Sequence, residues 1–268
     1  MYERAARPDF DACAARAPIW HLDQGRALFI GALGRNALHA HSVPVYMAGV
    51  YAPFRLRVAG DAWRPCQSAV IPAGVPYEFD MAGQPLAVLY LEPNEAGAGA
   101  LAPLLGCAGE VSGALYSGAL LSASGGFPVL RELYEADDGA RWAGAAIDDL
   151  LAFSKPRARR ALDLRISHAV ARLASGCEDA RQVADVAREA GLSPSRFQHL
   201  FAAEIGVPFR RFRVWQRLRR AIAEISGGAS FTAAAHAAGF FDQAHFARAF
   251  RAAFGAPASP SLRKVRRG

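Results

Sequence analysis

Between Val183 and Pro257 the chain writes one motif twice, and this duplication constrains its fold more than any other feature. The first copy reads Val183-Ala-Asp-Val-Ala-Arg-Glu-Ala-Gly191-Leu-Ser193-Pro194-Ser-Arg-Phe197-Gln-His-Leu-Phe201 and closes with Gly206-Val-Pro208. The second reads Phe231-Thr-Ala-Ala-Ala-His-Ala-Ala-Gly239-Phe-Phe-Asp242-Gln-Ala-His-Phe246-Ala-Arg-Ala-Phe250 and closes with Gly255-Ala-Pro257. Ala187 and Gly191 find Ala235 and Gly239 at an offset of 48, whereas Phe197, Phe201, Gly206 and Pro208 find their partners at 49. A one-residue insertion in the turn accounts for the change. Each copy predicts helix, glycine-containing turn, helix, which is the helix-turn-helix pattern.

The local chemistry supports those helices. Asp179 is placed to cap the first, and Ser193-Pro194 is a cap followed by proline at the first helical position. Ser230 and Asp242 are the corresponding caps in the second copy. Phe197, Leu200 and Phe201 fall on one face of their helix, with Ser195, Gln198 and His199 opposite. Phe246, Ala249 and Phe250 face inward in the second copy, with Gln243, His245, Ala247 and Arg248 outward. A recognition helix requires this split: the apolar face holds it to its partner, and the polar face reaches base edges. Arg196 and Arg251 complete the candidate DNA-binding set. Between the copies, Phe209, Phe212, Trp215, Leu218, Ile222 and Ile225 recur every three or four residues, with six arginines filling most other positions. A helix over 208–225 would be about 27 Å long, near the ~34 Å of one DNA turn, and so can set two reading heads on one duplex face.

Charge divides the chain. Residues 1–154 carry a net charge of −6 and residues 155–268 carry +13. A basic half joined to an acidic half predicts that the C-terminal part meets a polyanion. The sign changes at Ser154-Lys-Pro-Arg-Ala-Arg-Arg160, where Pro156 interrupts helix. An amphipathic helix is expected just after it, with Leu164, Ile166 or Ala169, Val170 and Leu173 inward.

The N-terminal half reads as short strands separated by Gly and Pro: 27–33, 45–51, 54–58, 68–72 and 86–91. Phe54, Leu56 and Val58 alternate with Arg55 and Arg57, as in a half-buried strand. Such spacing predicts a sandwich or small barrel. Two helices follow at 128–134 and 139–153; in the second, Trp142, Ala145, Ile147 (or Ala146) and Leu150 form the expected stripe. The four cysteines are far apart and form no CxxC pair, so reduced thiols are expected. No apolar run reaches the ~18 residues of a membrane span, and residues 1–20 lack an apolar signal-peptide core. A cytoplasmic location without membrane contact is the expectation.

The closing run Phe240-Phe-Asp-Gln-Ala-His-Phe-Ala-Arg-Ala-Phe-Arg-Ala-Ala-Phe-Gly-Ala-Pro, after Ala-Ala-Gly239, resembles the signature of the AraC/XylS family of bacterial transcription regulators. So does Gly191-Leu-Ser-Pro-Ser-Arg-Phe with its Gly-Val-Pro close, and the resemblance covers about 100 residues. It implies that Ser195, Gln198, His199, Gln243, His245 and Arg248 face the DNA groove. His39-Ala-His41 and Ile71-Pro-Ala-Gly-Val-Pro-Tyr77-Glu78 resemble the two short motifs of the cupin barrels. There, an HxH pair, a Glu and a further His bind a metal. Here no Glu follows His41 at that spacing, and Tyr77 stands where the last His would. Two histidines fall short of the three or four ligands a transition metal takes, so no metal or other cofactor is expected. His39, His41 and Tyr77 are instead candidates for an effector pocket.

No GxSxG, HExxH, P-loop or dinucleotide fingerprint is present, so an enzyme is not expected. Cys66 follows Pro65 as in some DNA-repair methyltransferases, but Gln67 and Ser68 supply no group to activate a thiolate. The chain thus reads as a two-domain α+β protein. Residues 1–152 are a cupin-like β-barrel with flanking helices that senses an effector and dimerises, and 153–159 are a linker. Residues 160–268 are an all-α DNA-binding domain, with helix-turn-helix motifs at about 180–204 and 230–253 and the linking helix at 208–225. The expected partners are promoter DNA, a second copy of the chain, an unidentified small effector and RNA polymerase. The rival readings are a metal-dependent cupin enzyme fused to a DNA-binding module, and a regulator whose N-terminal half only dimerises.

Overall fold

The computed structural model describes residues 16–23, 25–93, 113–116, 119–123, 128–154, 162–174, 182–263 and 265. Cys13, Cys107, Cys177 and Asp179, and the expected linker from residue 155 on, lie outside them. Among the described residues of the N-terminal half there are eleven strands: β1 (Ile19–Asp23), β2 (Arg26–Ala32), β3 (Arg35–His39), β4 (Val45–Gly49), β5 (Phe54–Val58), β6 (Arg64–Cys66), β7 (Ser68–Ile71), β8 (Tyr77–Asp80), β9 (Pro85–Leu91), β10 (Gly113–Tyr116) and β11 (Ala119–Ser122). One sheet has the order β1-β2-β9-β4-β7-β11-β10 and the other β3-β8-β5-β6, every described pairing being antiparallel. Among the described residues no pairing closes the two sheets into a cylinder, so the architecture is a two-sheet sandwich where a barrel was expected.

Alternation along the strands assigns their faces. In the larger sheet Trp20, Phe29, Val45, Met47, Val88 and Tyr90 point inward, toward Phe54, Leu56, Tyr77 and Phe79 of the smaller sheet. The intervening residues Ile19, Leu28, Ile30, Tyr46 and Leu89 point the other way, onto α1 (Pro128–Glu135) and α2 (Gly139–Ser154). With both faces covered, β9 is buried along its whole length and reads as an unbroken apolar run. The smaller sheet has one wet face, and Phe54, Leu56 and Val58 are buried while Arg55 is exposed, as the alternation requires. In α2 the buried stripe is Ala143, Ala146, Ile147 and Leu150; Ala145 faces solvent, one position out of the expected register.

Among the described residues of the C-terminal half there are seven helices: α3 (Leu164–Ala174), α4 (Val183–Glu189), α5 (Pro194–Ile205), α6 (Phe209–Ser226), α7 (Phe231–Ala237), α8 (Gln243–Phe254) and α9 (Ala258–Leu262). In α3, Ile166, Ala169, Val170 and Leu173 are buried, but Leu164 in its first turn is 76% exposed, correcting the expected inward set. The N-cap of helix α4 is Gln182, whose backbone N–H donates to Asp185 at 3.3 Å. The remaining caps follow the sequence. Ser193 Oγ accepts from Arg196 N, Ser230 Oγ from Ala233 N and the Asp242 carboxylate from His245 N.

The two halves share one core. Phe197, Phe201, Phe212, Trp215, Phe246, Phe250 and Phe254 belong to the same buried cluster as the inner faces of both sheets. Helix α6 lies at the centre of the contact. Glu92, just past β9, is fully buried and accepts from Trp215 Nε1 at 3.1 Å, Gln216 Nε2 at 2.9 Å and Arg219 Nη1 at 2.6 Å. Arg219 also donates to the Asp23 carbonyl, and Arg211 donates to the Ala40 carbonyl. Removing the Glu92 carboxylate leaves a buried guanidinium and an indole N–H without their acceptor. Glu92→Ala is therefore expected to destabilise the chain by about 3–5 kcal/mol, read as a lowered urea midpoint.

Candidate functional site

Helices α5 and α8 each expose a polar face and bury an apolar one. Ser195, Arg196, Gln198 and His199 are exposed on α5, with Phe197, Phe201 and Ile205 beneath. Gln243, His245, Arg248 and Arg251 are exposed on α8, with Phe246, Phe250 and Phe254 beneath. Two of these side chains are oriented by neighbours. Gln243 Oε1 accepts from Thr232 Oγ1 at 2.9 Å, which leaves its amide N–H groups to donate outward. His245 Nδ1 accepts a long 3.4 Å bond from Phe241 N, so Nε2–H is the ring's remaining donor.

The turns are built for this display. Gly191 (φ 66°) and Gly239 (φ 78°) carry the left-handed residue in each motif. Phe240 closes the second turn, buried against Phe246 at 5.6 Å between ring centroids. Its neighbour Phe241 is 84% exposed beside the start of α8. An open groove of about 460 Å³ runs along the second head, with Arg248, Arg251 and Arg263 on its wall. Arg263 escaped the sequence reading because it lies beyond the repeated motif, where no helix periodicity marks a face.

The arginines of α6 fall into two groups. Arg210 is exposed. Arg211 and Arg219 are bound to the N-terminal half, so they serve the contact between halves and not a phosphate.

His39, His41 and Tyr77 do come together. Ring centroids lie 4.4 Å apart for His39–Tyr77, 5.0 Å for His39–His41 and 5.8 Å for His41–Tyr77. Strand pairing sets the first contact, because His39 of β3 sits opposite Tyr77 of β8. The three line a cavity of about 50 Å³ whose far wall is the end of α8 and the segment after it, including Phe254, Pro257 and Pro260. Periodicity could not have joined these segments, since they are some 200 residues apart in sequence. Asn36 and Trp20 also line the cavity and bind that wall: Asn36 Nδ2 donates to Phe254 O at 2.7 Å and Trp20 Nε1 to Ser261 O at 3.0 Å.

Electrostatically the cavity favours neutral groups. Burial is the main reason the His39 imidazole lies down at about 4; the bond from Nδ1 to the Ala37 carbonyl opposes it and the charge of Arg211 adds to it. Burial, then His39 and Arg211, hold His41 well below the usual histidine range. Burial likewise raises the Tyr77 phenol well above its ordinary value. Among the described residues no group of three or more His, Cys, Asp or Glu is placed to hold a metal. Cys66 is buried, and burial pushes its thiol up to about 12, which suits a core residue and not a nucleophile. No helix among the described residues is long and apolar enough to cross a membrane.

The profile of a family described as a helix-turn-helix domain matches residues 186–264. Wild-type ToxT from Vibrio cholerae strain SCE256, solved with an unsaturated fatty acid bound, is similar in structure at 13% identity. The likeness covers 90% of this chain and 96% of that one with a TM-score of 0.58. ToxT from Vibrio cholerae O395 is similar at 11% identity, over 91% of this chain and 100% of that one, with a TM-score of 0.56. At such identities the likeness is one of fold. No curated protein matches the chain. The matched helical region, with its two capped reading heads, is that of a DNA-binding transcription regulator. Its two helix-turn-helix motifs on one linking helix are of the AraC type.

Histidines kept neutral by burial make stability depend on pH. Between about pH 6.5 and about pH 4 the unfolded chain binds more protons at His39 than the folded one, so stability falls as pH drops through that window. The loss from His39 is about 3 kcal/mol, and His41 acts with the same sign. Urea midpoints at pH 7 and pH 4.5 measure it, and His39→Phe is expected to shrink the difference.

Proposed function

We propose that the chain is an effector-responsive, sequence-specific regulator that reads promoter DNA through Ser195, Arg196, Gln198 and His199 of α5 and through Gln243, His245, Arg248 and Arg251 of α8. The observation that carries this reading is the pair of capped helices whose polar faces are exposed while their apolar faces enter a common core. The charge of +13 on residues 155–268 supplies attraction to phosphate. Arg248 donates to guanine O6 and N7 or to phosphate. In the second head Ala244 and Ala247 leave fewer polar groups, so it contributes more to anchoring than to discrimination.

The working division is residues 1–152 as a cupin-like sensing and dimerising domain, 153–159 as a linker and 160–268 as the DNA-binding domain. Two copies act together in the cytoplasm on an operator, in contact with RNA polymerase, and no catalysis is involved. The effector occupies the cavity at His39, His41 and Tyr77 and biases how the N-terminal half presents the reading heads, by no more than its differential affinity for the two arrangements. Support comes from the composition of that cavity, which is mostly aromatic with a few polar groups. The fatty acid bound to the similar ToxT structure also favours a small-molecule effector over a purely structural N-terminal half.

Footprinting the full-length protein on DNA upstream of its own gene and its neighbours identifies the operator. On that operator Arg248→Ala is expected to weaken binding by about 1–3 kcal/mol, roughly 5- to 150-fold by fluorescence anisotropy. Unchanged affinity would remove Arg248 from the interface.

A further inference from the structure

We infer that the cavity between the two halves takes a neutral, single-ring aromatic molecule with one hydrogen-bonding head, and that this molecule enters by displacing the segment that closes the second helix-turn-helix. The inference rests on the effector reading above and narrows it to a chemical class and a mode of action.

The walls define the body of the ligand. Trp20, Phe79, Tyr90 and Phe254 present rings to the cavity, and His41 already meets Tyr90 and Phe254 edge-on, at 5.0 and 5.2 Å between centroids. Such surroundings favour another flat ring in an edge or offset contact. The head is defined by unused polar atoms. Tyr77 Oη and His41 Nδ1 are buried without a hydrogen-bond partner, in side chains only 1% and 3% exposed. His39 adds an acceptor: its Nδ1 donates to the Ala37 carbonyl at 2.7 Å, which leaves the lone pair on Nε2. A head that both donates and accepts satisfies this set, and leaving it unmade costs the desolvation of each buried group.

Charge is excluded by the lining. Among the described residues no Asp, Glu, Lys or Arg lines the cavity. Arg211, whose charge reaches both histidines, donates to the Ala40 carbonyl and stands outside the lining. A carboxylate or ammonium brought here would lose its hydration with no partner ion, which buried charges do not tolerate.

Size supplies the mode of action. A cavity of ~150 Å³ holds benzene, whereas this one measures about 50 Å³. One wall has to move. The sheet side is fixed by the ladder of β3, β8 and β5. The opposite side has no such ladder: it is seated by the ring contacts of Phe254 with Trp20, His41 and Tyr90 and by three hydrogen bonds, from Asn36 to Phe254 O, from Ala37 N to Gly255 O at 2.9 Å, and from Trp20 to Ser261 O. Gly255 shows how close that seating is, because a Cβ there would meet Ala37 O at 2.3 Å and His39 Nδ1 at 2.6 Å. A ring entering the cavity therefore pushes the end of α8 away from β3 and loosens the second reading head from the N-terminal half.

The test uses the full chain at pH 7.5 with benzamide and its isosteric anion benzoate, followed by calorimetry and by hydrogen exchange at Ala37 N–H. Benzamide is expected to bind at least tenfold more tightly than benzoate and to accelerate exchange at Ala37. Tyr77→Phe is expected to lose roughly tenfold of the benzamide affinity, about one hydrogen bond. Because it removes a buried hydroxyl with no partner, the variant should melt at or above the wild-type temperature, so the loss cannot be misfolding. Tighter or equal binding of benzoate, unchanged affinity in Tyr77→Phe, or unchanged exchange at Ala37 would each overturn the inference and leave an effector site of another kind standing. Binding of neither probe would remove the effector reading from this cavity as well, while the operator footprint stands independently of both.

Discussion

A carboxylate shut away from water is tolerable only when its surroundings replace the water, and Glu92 depends on α6 for that replacement. The indole, amide and guanidinium donors that converge on its Oε1 all come from the linking helix. The dependence is mutual, since Trp215 and Arg219 find their acceptor in the N-terminal half. This contact ties the end of β9 to the helix that carries both reading heads, and the common aromatic core forms around it. Apolar burial alone gives no register between two halves. The polar cluster supplies one, because its donors meet the carboxylate in only one seating of the helix.

The same helix sets the geometry available for reading DNA. Its apolar face is shared between the α4–α5 and α7–α8 pairs, so their exposed faces are held by one rigid rod. The glycines that end α5 and α8 are used twice. Gly206 and Gly255 take the left-handed conformation that terminates a helix, and both also lie against the N-terminal half, near Gly74 and Ala37 respectively. The duplicated closing sequence thus became a duplicated docking point, which ties the position of each head to the sandwich beneath it.

The C-terminal half was largely legible in the sequence, because its elements are local. Caps at Ser193, Ser230 and Asp242, the glycine turns and the apolar stripes are all written within a few residues of where they act. The errors were also local: Leu164 and Ala145 fit a helical period but fall a fraction of a turn outside the buried arc. In the N-terminal half the strands could be read but their closure could not, since the pairing of β9 with both β2 and β4 is set by contacts distant in sequence. His39, His41 and Tyr77, proposed for an effector pocket, were singled out by motif, yet half of their surroundings come from the far end of the chain. Glu92 and Asn36 carried no signal at all, being single polar residues whose partners are revealed only when the halves meet.

The two arginines that α6 spends on the N-terminal half alter what the chain's charge means. Read from composition, the basic region is a fixed polycation. In the folded chain Arg211 and Arg219 are covered, so the field offered to a polyanion is smaller than the formal count. Parting the halves would uncover both guanidinium groups and at the same time release an acidic partner carrying −6 from their neighbourhood. Interdomain seating and ionic strength are therefore linked variables in this molecule, because screening weakens the attraction between the oppositely charged halves as well as the attraction to phosphate.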